Sequence, residues 1–178
     1  MPTPLFAALI ALPALSATVE LPRYPASSPD GSQVVFTWRG DLWRAPAAGG
    51  EAVRLTTNPA DDLHACFTPD GTSIVFESTR EGARNLWCMP ANGGEPRQLT
   101  FGDAAVSLAG ISKRPDGSVV VLCDSSREGD LYRAPRPYVV PLDGGPMARL
   151  HDAFGSHPVA GADGVVLFER GGNSWLRR

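Results

Sequence analysis

Three histidines, one aspartate pair and three cysteines are the residues of this sequence whose types could do chemistry. His64, His151 and His157 could act as bases or metal ligands, and Asp61-Asp62 could bind calcium. A serine hydrolase needs a nucleophile, an imidazole base and an acid held together. No Gly-x-Ser-x-Gly elbow supplies the first of these. Placing Asp70-Gly71 over Asp163-Gly164 requires a shift of 93 residues, and the same shift puts His64 on His157. A recurring structural place explains this pair better than catalysis does. His151 and His157 have no third ligand at a matching spacing, so no metal site is expected. Without an Asp-x-Asp-x-Asp-Gly loop, Asp61-Asp62 reads as a solvated acidic turn. Cys66, Cys88 and Cys123 form no Cys-x-x-Cys and read as small strand residues, with one bridge possible. No phosphate-binding or dinucleotide-binding glycine loop occurs. No catalytic, cofactor-binding or metal-binding residue is therefore assigned, and no cofactor is expected.

The elements that carry these residues are set by a repeat. Pro29-Asp30-Gly31 recurs as Pro69-Asp70-Gly71 and Pro115-Asp116-Gly117, with a worn copy at Ala162-Asp163-Gly164; the offsets are 40, 46 and 47 residues. Proline presets φ, aspartate bonds the backbone ahead of it, and glycine takes positive φ. An apolar β-branched strand follows each turn: Val34-Val35-Phe36, Ile74-Val75-Phe76, Val119 to Leu122 and Val165 to Phe168. A polar turn comes next, then an aromatic strand marked by Leu42-Trp43, Leu86-Trp87, Leu131-Tyr132 and Ser174-Trp175. Gly49-Gly50, Gly93-Gly94 and Gly144-Gly145 make another turn before a closing strand such as Val53 to Thr56.

Each unit is thus a four-stranded antiparallel meander, the size and form of a propeller blade. The expected fold is all-β, a partial β-propeller with three complete blades and an incomplete fourth. The blades are placed at about 23–57, 62–101, 107–151 and 155–178. Val35, Val75 and Val120, with Trp43, Trp87 and Tyr132, are expected to form the cores between blades. In the third unit the step from the aromatic strand to the Gly-Gly turn is six residues longer, and the extra residues are placed at Arg133 to Tyr138.

Composition narrows the partners. The chain has 178 residues, 43% of them hydrophobic, and a net charge of −3 with no basic stripe. That balance excludes a nucleic-acid reader. Leu5 to Leu15 is an eleven-residue apolar run, too short for a bilayer span and followed by small residues. Residues 1–17 are read as a signal peptide and 18–178 as the propeller, giving a periplasmic or secreted protein with no membrane segment in its mature form. The preceding basic residue usual in such a leader is missing.

The unit Ser28-Pro-Asp-Gly-Ser-Gln-Val-Val-Phe36, with Gly40-Asp-Leu-Trp-Arg-Ala-Pro-Ala-Ala-Gly-Gly50 and Val53-Arg-Leu-Thr-Thr57, resembles the WD-like propeller repeat shared by the TolB family and several peptidase propellers. It looks most like the first blade of the tricorn protease N-terminal propeller. Met89-Pro-Ala-Asn-Gly-Gly-Glu-Pro-Arg-Gln-Leu-Thr100 and Phe168-Glu-Arg-Gly-Gly-Asn-Ser-Trp-Leu-Arg-Arg178 are similar to the same family. The resemblance runs over about residues 23–178. It implies a non-catalytic propeller segment of a multi-domain serine peptidase, gating or binding peptide or protein substrates. The family's catalytic residues lie further along its chain and match no position here. Archaeal tricorn is cytoplasmic, so an exported chain resembles bacterial relatives instead. Two other readings stand beside this one: a TolB-like periplasmic interaction propeller, and the propeller part of an exported amidohydrolase-type enzyme. An open propeller exposes an edge and a face, so missing downstream blades or self-association are the expected cover.

Overall fold

The alternation of short β-branched runs with Gly and Pro turns leaves the chain no route to a helix, and none occurs among the described residues. The computed structural model describes residues 21–127, 134–161 and 165–170. The proposed signal peptide, Leu131-Tyr132 and Ser174-Trp175 lie outside them. No helix of the described residues is long and apolar enough to cross a membrane.

Three four-stranded antiparallel sheets follow one another along the chain. The first contains β1 (Arg23–Ser27), β2 (Gln33–Trp38), β3 (Asp41–Pro46) and β4 (Val53–Arg54). The second contains β5 (Asp62–Phe67), β6 (Ser73–Ser78), β7 (Asn85–Pro90) and β8 (Arg97–Gln98). The third contains β9 (Val106–Lys113), β10 (Val119–Ser125), β11 (Arg136–Pro141) and β12 (Ala148–Arg149). A fourth unit supplies the hairpin of β13 (Ser156–Ala160) and β14 (Val166–Glu169). Strand order within each sheet is sequential. The first strands of successive sheets touch each other, whereas the fourth strands do not approach closely. The sheets therefore fan out from a common axis as propeller blades.

The Pro-Asp-Gly turns work as their residue types require. Asp30 accepts from the Ser28 hydroxyl at 2.5 Å, the Ser32 amide at 3.0 Å and the Ser32 hydroxyl at 2.8 Å. Gly31 takes φ 71°, which its lack of a Cβ permits. Asp70 repeats the pattern with Thr68 and Thr72. The third turn is one residue tighter. Ser28 and Thr68 donate their amides to Gln33 and Ser73, five residues on, but Arg114 donates to Ser118, four residues on. This shortening brings Val120 to the face occupied by Val35 and Val75. Val35 packs between blades one and two, Val75 between two and three, and Val120 against Ala160 of the fourth unit. Each such buried side chain contributes roughly 1.5–3 kcal/mol.

The aromatic stripe needs correction. Trp43 and Trp87 pair with Arg54 and Gln98, six residues before their Gly-Gly turns. In blade three that place, paired with Arg149 and six residues before Gly144, belongs to Tyr138 and not to Tyr132. The Gly-Gly turn fixes the hairpin backwards from itself, so the extra residues precede β11 instead of lengthening it. Trp87 and Tyr138 are buried between blades, as expected for the stripe. Trp43 is only half-buried; it lies edge-on to Trp38 at 5.2 Å on a face no described blade covers.

The Leu-Thr ending of the closing strand has its own task. The Leu42 amide donates to Thr56 Oγ1 at 3.0 Å, and the Leu86 amide to Thr100 Oγ1 at 2.9 Å. In blade three the matching third-strand residue is Pro137, which has no amide hydrogen, and His151 stands where the threonine would be. Donor and acceptor are lost together.

Two outcomes are expected. Thr100→Val leaves the buried Leu86 amide without its acceptor and lowers stability by about 1–3 kcal/mol in a denaturant titration, and Thr56→Val does the same at Leu42. The Ser28 hydroxyl, then the Ser32 amide and hydroxyl, hold the Asp30 carboxyl down from 3.8 to about 2. Its stabilising contribution is complete above the ordinary carboxylate value and is lost as pH falls through about 2. Carboxyl NMR should find that midpoint, and Ser28→Ala should move it upward.

Candidate functional site

Residues near the axis come from the first strands, and these strands share an irregularity. Ladder register shifts occur between Arg23 and Ala26, Leu63 and Cys66, and Ser156 and Val159. Inside these bulges Tyr24, His64 and His157 adopt φ of 54°, 48° and 52°. Each stands four residues before the residue whose amide closes the next turn, Ser28, Thr68 or Gly161. The expected equivalence of His64 and His157 is therefore a bulge position, and Tyr24 belongs to it. A left-handed non-glycine residue costs about 1–3 kcal/mol, and such positions collect at functional sites.

His64 is held from two sides. Its ring centroid lies 3.6 Å from that of Tyr24. Its Nδ1 lies 3.1 Å from Oε2 of Glu77. Glu77, 1% exposed, also accepts from Arg84 at 3.1 Å and from the Leu108 amide of the next blade at 2.7 Å. That link to the backbone of the next blade recurs. Thr37, Glu77 and Asp124 pair with Leu42, Leu86 and Pro137 in their own hairpins. Thr37 donates its hydroxyl to Asp62 O at 3.3 Å, and Asp124 accepts from the His157 amide at 2.9 Å. One position of the second strand thus ties every described blade to the first strand of the next. Burial pushes the Asp124 carboxyl above its ordinary value; the His157 contacts oppose this. The fourth unit has a looser copy of the imidazole–carboxylate pair, with His157 Nδ1 at 3.4 Å from Glu169.

The remaining candidates have structural partners. Asp62 is fully buried, and Arg80 bonds both of its carboxylate oxygens at 2.9 and 3.0 Å. The reading of Asp61-Asp62 as a solvated turn therefore fails for Asp62. A carboxylate occupied on both oxygens by a guanidinium is also not a calcium ligand. Arg80 lies over Trp87 at 4.7 Å, so charge and aromatic face are satisfied together. His151 accepts from the Ala153 amide at 2.9 Å and faces Phe168, while His157 turns to Glu169. Among the described residues no group of three His, Cys, Asp or Glu side chains is arranged for a metal ion. All three cysteines are free; burial raises each thiol and disfavours the reactive thiolate.

Beside Tyr24 lies a cleft of about 570 Å³ between blades one and two, lined by Arg23, Tyr24, Trp38, Arg39, Asp61 and Leu63 among others. The sequence reading did not single out Tyr24, Arg39 or Glu77. Tyr24 was accessible by counting back four residues from Ser28, as His64 is from Thr68. Glu77 carried no local signal, because its partners are 7, 13 and 31 residues away.

The model of the tricorn protease N-terminal beta propeller domain matches residues 19–178. Tricorn protease homolog 1 of Streptomyces coelicolor is 34% identical over 129 residues, covering 72% of this chain and 12% of that protein. The tricorn protease of Thermoplasma volcanium is 28% identical over 158 residues, covering 83% of this chain and 14% of that protein. The chain thus spans about an eighth of the length of these relatives. Among solved structures, the putative TolB from Agrobacterium tumefaciens superposes with a TM-score of 0.67 at 24% identity, over 85% of this chain and 54% of that one. The likeness carries the blade architecture. By sequence and by blade repeat, the chain belongs to the tricorn protease N-terminal β-propeller domain family.

Proposed function

We propose that this chain is the non-catalytic propeller segment of an exported, tricorn-like peptidase, and that it binds peptide or protein substrates at its axial rim and gates their access. The observation that carries this reading is the rim itself. Family membership supplies the context, and Tyr24, His64 and His157 supply aromatic and imidazole side chains at one strained position of three units. Such rings give contact area and hydrogen bonding at low entropic cost, which suits capture of varied peptides. The same residues lack a nucleophile for hydrolysis, so chemistry belongs to another part of the proposed parent. Export rests on the apolar run Leu5 to Leu15.

The test is fluorescence anisotropy of the intact chain with labelled, unstructured casein-derived peptides. Asparagine tolerates left-handed backbone, so Tyr24→Asn and His64→Asn remove the rings without forcing the bulge open. Each is expected to weaken binding by about tenfold, equivalent to ~1.4 kcal/mol. Unchanged affinity in both variants counts against the rim. Binding only to folded proteins favours the TolB-like interaction reading, and peptide hydrolysis by this chain alone overturns the non-catalytic assignment.

A further inference from the structure

The cleft beside Tyr24 sets two arginines among aromatic and aliphatic walls. Arg54, Arg80, Arg84 and Arg149 each have a carboxylate partner within 4 Å. Arg23 and Arg39, which both line the cleft, form no such pair among the described residues. Asp61 is the one carboxylate on the wall. It sits against the Arg39-Gly40 turn, where a Cβ on Gly40 would meet Asp61 Oδ1 at 2.8 Å. Two guanidiniums against one carboxylate leave the cleft with an excess of positive charge, on a chain whose net charge is −3.

The apolar walls are equally specific. Tyr24 is 39% exposed, and Trp38 and Leu63 are half-buried. The Arg39 guanidinium lies 4.6 Å from the Trp38 ring centroid, which orients its hydrogen-bonding edge. Arg39 and Tyr24 both hold left-handed backbone, at φ 52° and 54°. Arg39 and Gly40, at φ 52° and 83°, form the two-residue hairpin turn between β2 and β3, whose geometry requires positive φ at both positions and projects the Arg39 side chain from the turn.

We propose that this cleft is a subsite for an acidic peptide side chain lying beside an aromatic or aliphatic one. Arg39 and Arg23 receive the carboxylate, and Tyr24, Trp38 and Leu63 receive the apolar neighbour. The subsite rests on the peptide-binding reading above and adds selectivity to it. Guanidinium–carboxylate contacts are the strongest class of hydrogen bond available at such a surface. Asp61 keeps the pocket from accepting two carboxylates side by side.

The test uses the intact chain and three labelled peptides, each acetylated and amidated so that no terminal carboxylate takes part. Their cores are Gly-Ala-Glu-Phe-Ala-Gly and the same core with Gln or Lys in place of Glu. The Glu peptide is expected to bind about tenfold more tightly than the Gln peptide and to lose that advantage in high salt. The Lys peptide is expected to bind more weakly than the Gln peptide. Arg39→Asn, which suits the left-handed turn, and Arg23→Gln, on the exposed end of β1, are each expected to cut the Glu preference, read as the ratio of Glu-peptide to Gln-peptide affinity. Equal affinity for the Glu and Gln peptides overturns the subsite and leaves peptide binding standing. Full Glu preference in both arginine variants also overturns it. Absence of binding to all three peptides overturns the subsite and the broader reading together.

Discussion

A four-stranded sheet with apolar side chains on both faces cannot stand alone in water, and this constraint organises the molecule. Val35, Leu42 and Leu55 of the first blade meet Ile74, Phe76, Trp87 and Met89 of the second. The second blade's other face, with Val75, Leu86 and Leu99, meets Val121, Tyr138 and Val140 of the third. Each sheet is thus complete only when flanked. Strand alternation allows this double burial, because successive residues of β6 face opposite neighbours. The turns then decide which residue faces which way, since a slip of one residue would exchange the two cores.

The third blade shows how that register survives variation. Its Pro-Asp-Gly turn is one residue tighter, yet its first strand keeps the irregularity of the other units, here opposite Leu122 and Cys123. Its long insertion falls between β10 and β11, and the ladder of β10 with β11 keeps its register from Val120 to Ser125. Pro137 removes an amide, and the hydroxyl that would have received it is also gone. Changes are tolerated where pairing or burial does not depend on them. They are matched by a second change where it does.

The blade repeat was legible in the sequence because it is written in turn residues whose backbone demands are local. Asp30, Asp70 and Asp116 each bond the residue two positions ahead, so neighbours alone reveal them. The aromatic strand of blade three was misplaced for the opposite reason. Leu131-Tyr132 follows the preceding turn at the familiar spacing, but Tyr138 keeps the distance that matters, measured from Gly144. Burial of Asp62 was hidden because Arg80 is 18 residues away, and an acid pair between blades reads as exposed until its partner is known. The cleft at Tyr24, Arg39 and Leu63 draws on two blades and has no linear signature. The histidines sit between these cases. Their equivalence could be counted, but the strained bulge behind it, and Tyr24's share in it, needed the backbone.

Glu77 couples two blades through one buried side chain. A single carboxylate grips the His64 ring in its own blade and the Leu108 amide in the next, close to the axis. The outer strands β4 and β8 are two residues long and do not approach each other closely. Farther out, Arg44 and Arg97 reach the Ala91 and Leu142 carbonyls of the next blade, so the blades are tied along their radius, with the buried carboxylate link at its inner end. A guest pressing on the imidazole would push on the adjoining blade's backbone without bending either sheet.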